Sequence, residues 1–410
     1  MDRLLAGKRV VEGAAFIAAP LCGLTLAQMG AEVIRFDAIG GGPDYFRWPL
    51  APSGASLYWE GLNKGKKSIA IDLRSERGRE LAVAIAAAPG ENGGLFVTNY
   101  PVTGFLSHAA LAAHRADIIS VRVMGWRDGG NAVDYTINAA LGLPMMTGPA
   151  DHEGPVNHVL PAWDVATGLY AALALVGAAW RRTANGQGAE IRVPLGDVAM
   201  ATLGNLGQLA EVSVGGKDRP RLGNDLFGAY GRDFPTADGR FVMIVAITAR
   251  QWRDLVKALA IETEVAAIET RHGVDFTADE GARFVHRAAL NALVEEKTAA
   301  LPLAELVARF EKTAVCYSPY GTLREALETG PIAGSPLFEP ATHASGATYP
   351  TPRSPVDFVG AAASAPGVAP ALGADTDEVL ATVLGLPHHE IGRLHDDGVV
   401  ASPSESRSRP

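Results

Sequence analysis

Residues Gly30–Asp37 read GAEVIRFD and mark the change from a predicted helix to a predicted strand. Gly30 ends a helical pattern that runs from Pro20 to Met29, because glycine is favoured just after a helix and proline in its first turn. The apolar run that follows is typical of a buried strand. A second such run, Arg9–Glu12, precedes the helix. Together these segments predict a strand–helix–strand unit.

The same alternation continues to about residue 200. We predict further helices within 76–88, 111–115 and 164–182, and further strands at 94–98, 118–123 and 189–193. Alternating strands and helices are typical of a mostly parallel sheet that carries helices on both faces. The predicted fold class is therefore α/β.

The pattern changes near Leu226. Residues Asp233–Thr248 contain a turn at Asp238-Gly239 between two strand-like runs, which indicates a β-hairpin. Helical patterns follow it, so we predict a smaller α+β domain over 226–330. The large domain is predicted to comprise 1–225 and 331–401, in which a Pro- and Gly-rich surface connection over 330–373 leads to a last helical region over 375–396. We expect a disordered tail at 402–410.

Composition limits the class of protein. A length of 410 residues is too great for one ordinary core, and a net charge of -9 argues against a nucleic-acid partner. Cys22 and Cys316 are the only cysteines and have no metal-ligand spacing, so we expect neither a disulfide framework nor a metal site. The first residues show no secretory pattern, and the apolar stretch Leu169–Trp180 is about half the roughly 20 residues of a membrane span. We therefore expect a buried core helix there, no membrane association and a cytoplasmic protein.

Asp164 stands at the predicted start of a long helix, in the sequence Pro161-Ala162-Trp163-Asp164. Aspartate is a favoured helix cap, and local pattern alone favours that structural role. The alternative is a carboxylate nucleophile, which would be ionised at neutral pH and favoured by the helix N-terminus.

A basic segment precedes the predicted strand Ile69–Leu73. It contains Lys64, Lys66 and Lys67, and Arg74 follows the strand. Clustered cations of this kind suit phosphate groups, although a solvated basic loop has the same pattern. Both interpretations remain open at this stage.

Five segments resemble, in order along the chain, the CoA transferases of family III, which include the carnitine-CoA and formyl-CoA transferases. They are Gly30–Asp37, Leu62–Leu73 (LNKGKKSIAIDL), Thr98–Pro101 (TNYP), Gly186–Gly188 (GQG) and Leu372–Leu380 (LGADTDEVL). The resemblance covers nearly the whole chain, and Asp164 falls at the position of the family's catalytic aspartate.

The resemblance implies a Rossmann-like large domain with a parallel sheet, a smaller domain and an interlocked homodimer. It implies an acyl-CoA substrate and no tightly bound cofactor. By position, the residues expected to contact CoA are Phe16, Ile71, Arg74, Asn99 and Tyr100.

The resemblance also implies covalent catalysis. Asp164 would attack the acyl thioester and form a mixed anhydride, and the released CoA thiolate would convert the anhydride into an aspartyl-CoA thioester. A carboxylate would then attack the aspartyl carbonyl, and the thiolate would return to the new acyl group. Backbone N–H groups near the helix start are expected to stabilise the oxyanions.

Several further segments, among them Val133–Asn138 and Val156–Asp164, are similar to family members that move CoA between the two carboxyl groups of mesaconate. We therefore expect an intramolecular transferase, with Arg47, Asn157 and His158 as hypotheses for holding the free carboxylate. No glycine-rich loop of the formyl-CoA transferase type follows the predicted hairpin, which agrees with an acid that is retained.

Three alternatives are weighed against this interpretation. An intermolecular CoA transferase for a short dicarboxylate would use the same aspartate. The related 2-methylacyl-CoA racemases need a histidine base where this chain has Val133, so proton exchange is disfavoured. A CoA-binding protein without catalysis would have no use for Asp164 as a nucleophile.

Overall fold

The computed structural model describes residues 4–357, 359–360 and 365–403. Within these residues there are twelve strands: β1 (Arg9–Gly13), β2 (Glu32–Ala38), β3 (Lys67–Ile71), β4 (Leu95–Thr98), β5 (Ile119–Met124), β6 (Ala189–Pro194), β7 (Tyr230–Pro235), β8 (Phe241–Ala246), β9 (Cys316–Pro319), β10 (Phe338–Thr342), β11 (Thr348–Pro352) and β12 (Val400–Ala401).

The same residues form seventeen helices: α1 (Ala18–Gln28), α2 (Leu57–Leu62), α3 (Glu76–Ala86), α4 (His108–His114), α5 (Asp134–Ala140), α6 (Leu143–Met146), α7 (Ala162–Asn185), α8 (Leu195–Asn205), α9 (Gln208–Gly215), α10 (Ala249–Ala258), α11 (Glu262–His272), α12 (Glu280–Val285), α13 (Arg287–Ala299), α14 (Leu303–Phe310), α15 (Leu323–Glu328), α16 (Thr376–Leu384) and α17 (His388–Asp396).

The chain divides into two compact units. The first contains Met1–Leu141, Val159–Glu211 and Ser335–Pro410, and the second contains Gly142–His158 and Val212–Gly334. The second unit thus begins earlier than the range 226–330 predicted for the smaller domain and also takes up residues 142–158, which the prediction assigned to the large domain.

A seven-stranded sheet forms the centre of the first unit, in the order β12-β3-β2-β1-β4-β5-β6. All pairs are parallel except β12 with β3. The chain runs from β1 towards one edge through β2 and β3, and then returns to β4 on the other side of β1. This reversal is the place where doubly wound α/β proteins bind ligands, beyond the carboxyl ends of the strands. The predicted α/β class with a parallel sheet is confirmed.

Helix α7 packs closely against α1 on one face of this sheet. A side chain at Gly168 would bring its Cβ to 2.7 Å from the carbonyl oxygen of Ala18 and 3.1 Å from Cβ of Leu21. Only glycine permits this approach, which fixes the start of α7 beside the loop between β1 and α1.

Helix α7 is longer than the range 164–182 predicted for it. It has 24 residues, and by length and composition alone it could cross a membrane, although one such helix is weak evidence. The argument that its apolar stretch is too short for a span therefore does not hold. The helix is also not wholly buried: Ala171 and Leu175 lie in the core, whereas Leu173 and Trp180 are 68% and 80% exposed.

In the second unit, β7, β8 and β9 form an antiparallel sheet. The hairpin of β7 and β8 turns at Asp238-Gly239, as predicted, with Gly239 at φ 72°. Strand β9 was not predicted. The core of this unit is built around the fully buried Trp252, together with side chains of the strands and helices α10 to α14.

The C-terminal part of the first unit departs from the prediction in two places. The expected surface connection contains the antiparallel hairpin of β10 and β11. The last helical region is two helices, α16 and α17, because Gly385 adopts φ 68° and Pro387 follows it. The chain then adds β12 to the sheet. The predicted tail lies outside the described residues from position 404 onward.

Candidate active site

The loops that follow β1 and β4 meet at the point where the strand order of the sheet reverses. The side-chain amide of Asn99 binds both backbone groups of Ala15. It accepts a hydrogen bond from the Ala15 N–H at 3.2 Å and donates one to the Ala15 carbonyl at 2.8 Å. The next residue, Phe16, has φ 71° and a side chain that is 43% exposed. A bulky residue with positive φ is held there at a cost, which is a frequent property of ligand sites.

Tyr100 follows Asn99 in the same loop. Contacts of its ring and a hydrogen bond to its backbone carbonyl hold it in place. Its ring packs on Phe36 at a centroid distance of 6.4 Å, and burial raises the pKa of its hydroxyl to about 12. The buried guanidinium of Arg122 donates hydrogen bonds to the carbonyls of Tyr100, Pro101 and Leu106. Arg122 therefore fixes the course of the loop after β4.

The remaining two predicted CoA contacts lie two strands away, at the end of β3. Since neighbouring strands are about 4.8 Å apart, this is about 10 Å from β1, a distance that an elongated ligand such as CoA can span. Arg74 is exposed, and its Nε donates to Asp72 at 3.0 Å. The side chain of Ile71 is fully buried in the hydrophobic core, so only its backbone is near the strand end.

Asp164 is not the cap of its helix. It is the third residue of α7, and the side chain that receives the first helical N–H groups is Asp134, at 2.7 Å from the backbone nitrogen of Trp163 and 3.3 Å from that of Asp164. The capping interpretation of Asp164 was therefore wrong.

The expectation of an oxyanion site at the start of α7 is also not met. Besides the two N–H groups bound by Asp134, the N–H of Ala162 donates to the Leu160 carbonyl and that of Val165 to the Pro161 carbonyl. All four donors of the first helical turn are thus already paired. These four N–H groups are therefore not free to stabilise a developing oxyanion.

The electrostatics of Asp164 differ from those of an ordinary aspartate. Its pKa is raised from 3.8 to about 6: burial is the largest cause, the negative charge of Asp134 acts in the same direction, and the positive charge of Arg47 opposes both. The group is still mostly ionised at neutral pH. Because basicity and nucleophilicity rise together, such a carboxylate is a better nucleophile than one with an unperturbed pKa.

Arg47 and Tyr58 complete the surroundings of Asp164. The Arg47 guanidinium lies 5.6 Å from the ring centroid of Phe16 and 5.4 Å from that of Tyr58, within the range of cation–π contacts. The Tyr58 hydroxyl is buried and has no hydrogen-bond partner among the described residues. Burial raises the pKa of Tyr58, and the charge of Asp164 contributes to the same effect. A buried donor without a partner suits a ligand oxygen.

The segment that carries Arg47 is fixed by a buried ionic network. The Arg35 guanidinium donates to both carboxylate oxygens of Asp44 at 3.0 Å and makes a bidentate pair with Asp37 at 2.9 Å. The Arg47 N–H in turn donates to the Asp44 carbonyl. The network fixes Asp44, and Arg47 follows Asp44 by three residues, so the position of the Arg47 backbone is fixed as well.

Two of the three lysines in the basic segment before β3 form ion pairs within the fold. Lys66 is fully buried and donates to both oxygens of Glu12 at 3.0 and 2.8 Å. Lys67 pairs with Glu32 and Glu378, each at 2.8 Å. The ammonium groups of Lys66 and Lys67 are therefore used within the fold, and only Arg74 of the four cations is exposed.

Asn157 and His158 belong to the second compact unit, although they precede Asp164 by only a few residues. Asn157 is exposed and His158 is half-buried. Their assignment as substrate contacts remains a prediction. Within the described residues, no group of three or more His, Cys, Asp or Glu side chains is arranged to hold a metal ion.

Two residues of the site were missed by sequence reasoning. Asp134 lies 30 positions before Asp164, so no local pattern relates them. Tyr58 precedes Trp59 in a short segment where an aromatic residue is most simply interpreted as core packing.

Comparison with known proteins gives a consistent result. The model of CoA-transferase family III matches residues 5–376. The 2-methylfumaryl-CoA isomerase of Chloroflexus aurantiacus is 49% identical over 409 residues, which cover 99% of this chain and 100% of that protein. A succinyl-CoA–D-citramalate CoA-transferase of the same organism is 31% identical over 249 residues, or 58% of this chain and 60% of that protein. The crystal structure of a CaiB/BaiF family protein from Brucella suis superposes with a TM-score of 0.74 at 26% identity, covering 92% of this chain and 99% of that one.

Proposed function

The chain is an enzyme of CoA-transferase family III, and from this premise we propose that it moves CoA between the two carboxyl groups of mesaconate, converting 2-methylfumaryl-CoA into 3-methylfumaryl-CoA. The observation that carries the proposal is the 49% identity with a 2-methylfumaryl-CoA isomerase over essentially the full length of both chains. The half-buried carboxylate of Asp164, near the cation of Arg47, supports the chemistry.

In the proposed reaction, the Asp164 carboxylate attacks the thioester carbonyl and expels CoA thiolate, leaving a mixed anhydride. The thiolate then attacks the aspartyl carbonyl of the anhydride, which yields the aspartyl-CoA thioester and frees mesaconate. The second carboxylate of mesaconate attacks that thioester and expels CoA thiolate, which leaves a second mixed anhydride. The thiolate finally attacks the mesaconyl carbonyl of this anhydride. This last step regenerates Asp164. Direct transfer of CoA from one carboxyl group of mesaconate to the other has a high barrier, and four acyl transfers with lower barriers replace it.

Side chains supply the electrostatic support in this proposal. The Tyr58 hydroxyl donates to the oxyanion of the tetrahedral intermediates, because it is a buried donor close to Asp164 without another partner among the described residues. Arg47 attracts the free carboxylate of mesaconate, with Asn157 and His158 as further candidates. The CoA moiety follows the carboxyl ends of β1, β4 and β3, along Phe16, Asn99, Tyr100, Arg74 and the backbone at Ile71.

We further propose a homodimer and a cytoplasmic location. The exposed apolar side chains Leu169, Leu173 and Trp180 lie along one face of α7, which supports coverage of that face by a second chain. Light scattering of the purified protein tests the dimer, and a monomer at micromolar concentration would contradict it.

The function is tested with purified protein, 2-methylfumaryl-CoA and isotope-labelled free mesaconate, with both regioisomers followed by chromatography and mass spectrometry. We expect 3-methylfumaryl-CoA without label. Labelled product would indicate intermolecular transfer, the reaction named for the citramalate transferase relative. Exchange of an α-proton in a saturated 2-methylacyl-CoA would indicate a racemase, against which stands the exposed Val133 in place of a base.

A further inference from the structure

A second carboxylate lies against the backbone of Asp164. Asp134, the first residue of α5, is 1% exposed, and one of its oxygens, Oδ2, accepts hydrogen bonds from the N–H groups of Trp163 and Asp164. The same helix supplies Asn138, whose side-chain oxygen accepts from the Trp163 indole N–H at 3.3 Å. Helix α5 therefore holds the first turn of α7 at three points around the reacting residue.

The negative charge of Asp134 is not needed for capping the helix. Asparagine or serine would accept the same hydrogen bonds without charge. A buried carboxylate beside another carboxylate costs free energy, since like charges in a poorly solvated site repel. The charge at this position therefore has a consequence that a neutral cap would not have: it makes the ionised form of Asp164 less stable and hence more reactive.

We propose that Asp134 is a positioning residue for the reaction, which both fixes the backbone of Asp164 and increases the reactivity of its carboxylate through negative charge. The inference rests on the proposed role of Asp164 as the nucleophile. Asp134 itself touches neither acyl group nor CoA in this account.

The charged and titratable groups that face Asp164 come from three elements. They are Asp134 on α5, Arg47 in the segment after β2, and Tyr58 on α2. Arg47 acts in the opposite sense to Asp134, and Tyr58 is neutral at working pH. Removing the charge of Asp134 leaves burial unchanged and the charge of Arg47 unopposed by another charge, so the ionised form of Asp164 becomes more stable.

The test compares Asp134→Asn with Asp134→Ala. Asparagine keeps an oxygen that accepts from the two N–H groups and removes only the charge, whereas alanine removes both. Asp128→Asn is the control, because Asp128 also accepts a backbone N–H, from Gly130 at 2.9 Å, but is exposed. Each protein is labelled with [13Cγ]aspartate, and the Asp164 resonance is assigned by its loss in Asp164→Asn.

We expect the titration midpoint of Asp164, and with it the acid limb of kcat/KM, to move to lower pH in Asp134→Asn. We expect kcat of Asp134→Ala to be about 100-fold lower than that of Asp134→Asn, because alanine does not accept the two hydrogen bonds that fix the nucleophile. An unchanged midpoint in Asp134→Asn would overturn the role of the charge. Equal kcat in the two variants would overturn the role of the hydrogen bonds.

The NMR titration needs no substrate, so this inference and the proposed function fail separately. If Asp164→Ala retains turnover, the nucleophile is assigned wrongly whatever the midpoint does. If Asp164→Ala is inactive and the midpoint does not move, only the inference about Asp134 falls. Should Asp134→Ala not fold, the comparison of Asp134→Asn with wild type still decides the role of the charge.

Discussion

Replacing Asp164 with asparagine should make the protein more stable while abolishing turnover. The folded state raises the pKa of Asp164 from 3.8 to about 6, first through burial and then through the charge of Asp134. Each tenfold change in proton affinity corresponds to about 1.4 kcal/mol, so the ionised form is destabilised in the fold by about 3 kcal/mol. Asparagine has nearly the same volume and carries no charge.

The sign of the pH dependence follows from proton linkage. Between pH 3.8 and 6 the folded state binds a proton at Asp164 that the unfolded state has lost, so the free energy of unfolding decreases as pH rises through this window. Above it the wild type bears the full cost. Below it both states are protonated and the cost disappears. The stability advantage of Asp164→Asn is therefore greatest above pH 6, is mostly lost by pH 4 and disappears at lower pH.

Urea unfolding of both proteins at pH 7.5 and pH 4, without substrate, measures this difference. Asp151→Asn is the control, since Asp151 is exposed and surface substitutions usually change the free energy of unfolding by less than about 0.5 kcal/mol. An Asp164→Asn protein that is no more stable than wild type at pH 7.5, or whose advantage persists unchanged at pH 4, would show that the fold does not destabilise the ionised form of Asp164.

Three further predictions concern catalysis. Arg47→Ala should move the acid limb of the rate to higher pH, because the Arg47 charge lowers the pKa of Asp164; it should also raise label uptake from free mesaconate, and unchanged uptake would contradict its role in retaining the acid. Asn99→Ala should raise KM for the acyl-CoA with a smaller effect on kcat, since it releases Ala15 and the loop that leads to the CoA site. Steady-state kinetics that show a lower kcat and an unchanged KM would contradict this role of the two hydrogen bonds. Tyr58→Phe should lower kcat by about 100-fold by removing one oxyanion donor, and a rate equal to wild type would exclude that role.

The large sheet was predictable because each of its first six strands is an apolar run between helical patterns. The alternation also implied parallel order. Strand β12 was not predictable in the same way: Val400 and Ala401 form too short a run to be recognised, and their extended conformation depends on pairing with Ile71 and Ala70.

The candidate site was predictable only where a motif carried it. Asp164 was found through the family resemblance, since its local pattern favours a cap. What surrounds it depends on contacts between distant segments, such as the hydrogen bonds from α7 to Asp134. The lysine-rich segment is a second example, because nothing near Lys66 in sequence indicates that its ammonium group pairs with the carboxylate of Glu12 in the folded protein.

Peptide mass spectrometry of enzyme that is acid-quenched during turnover of 2-methylfumaryl-CoA determines whether Asp164 carries the covalent intermediate. We expect CoA attached as a thioester to the peptide that contains Asp164, and no such adduct in Asp164→Asn. An adduct on another residue, or turnover at the wild-type rate in Asp164→Ala, would exclude Asp164 as the nucleophile.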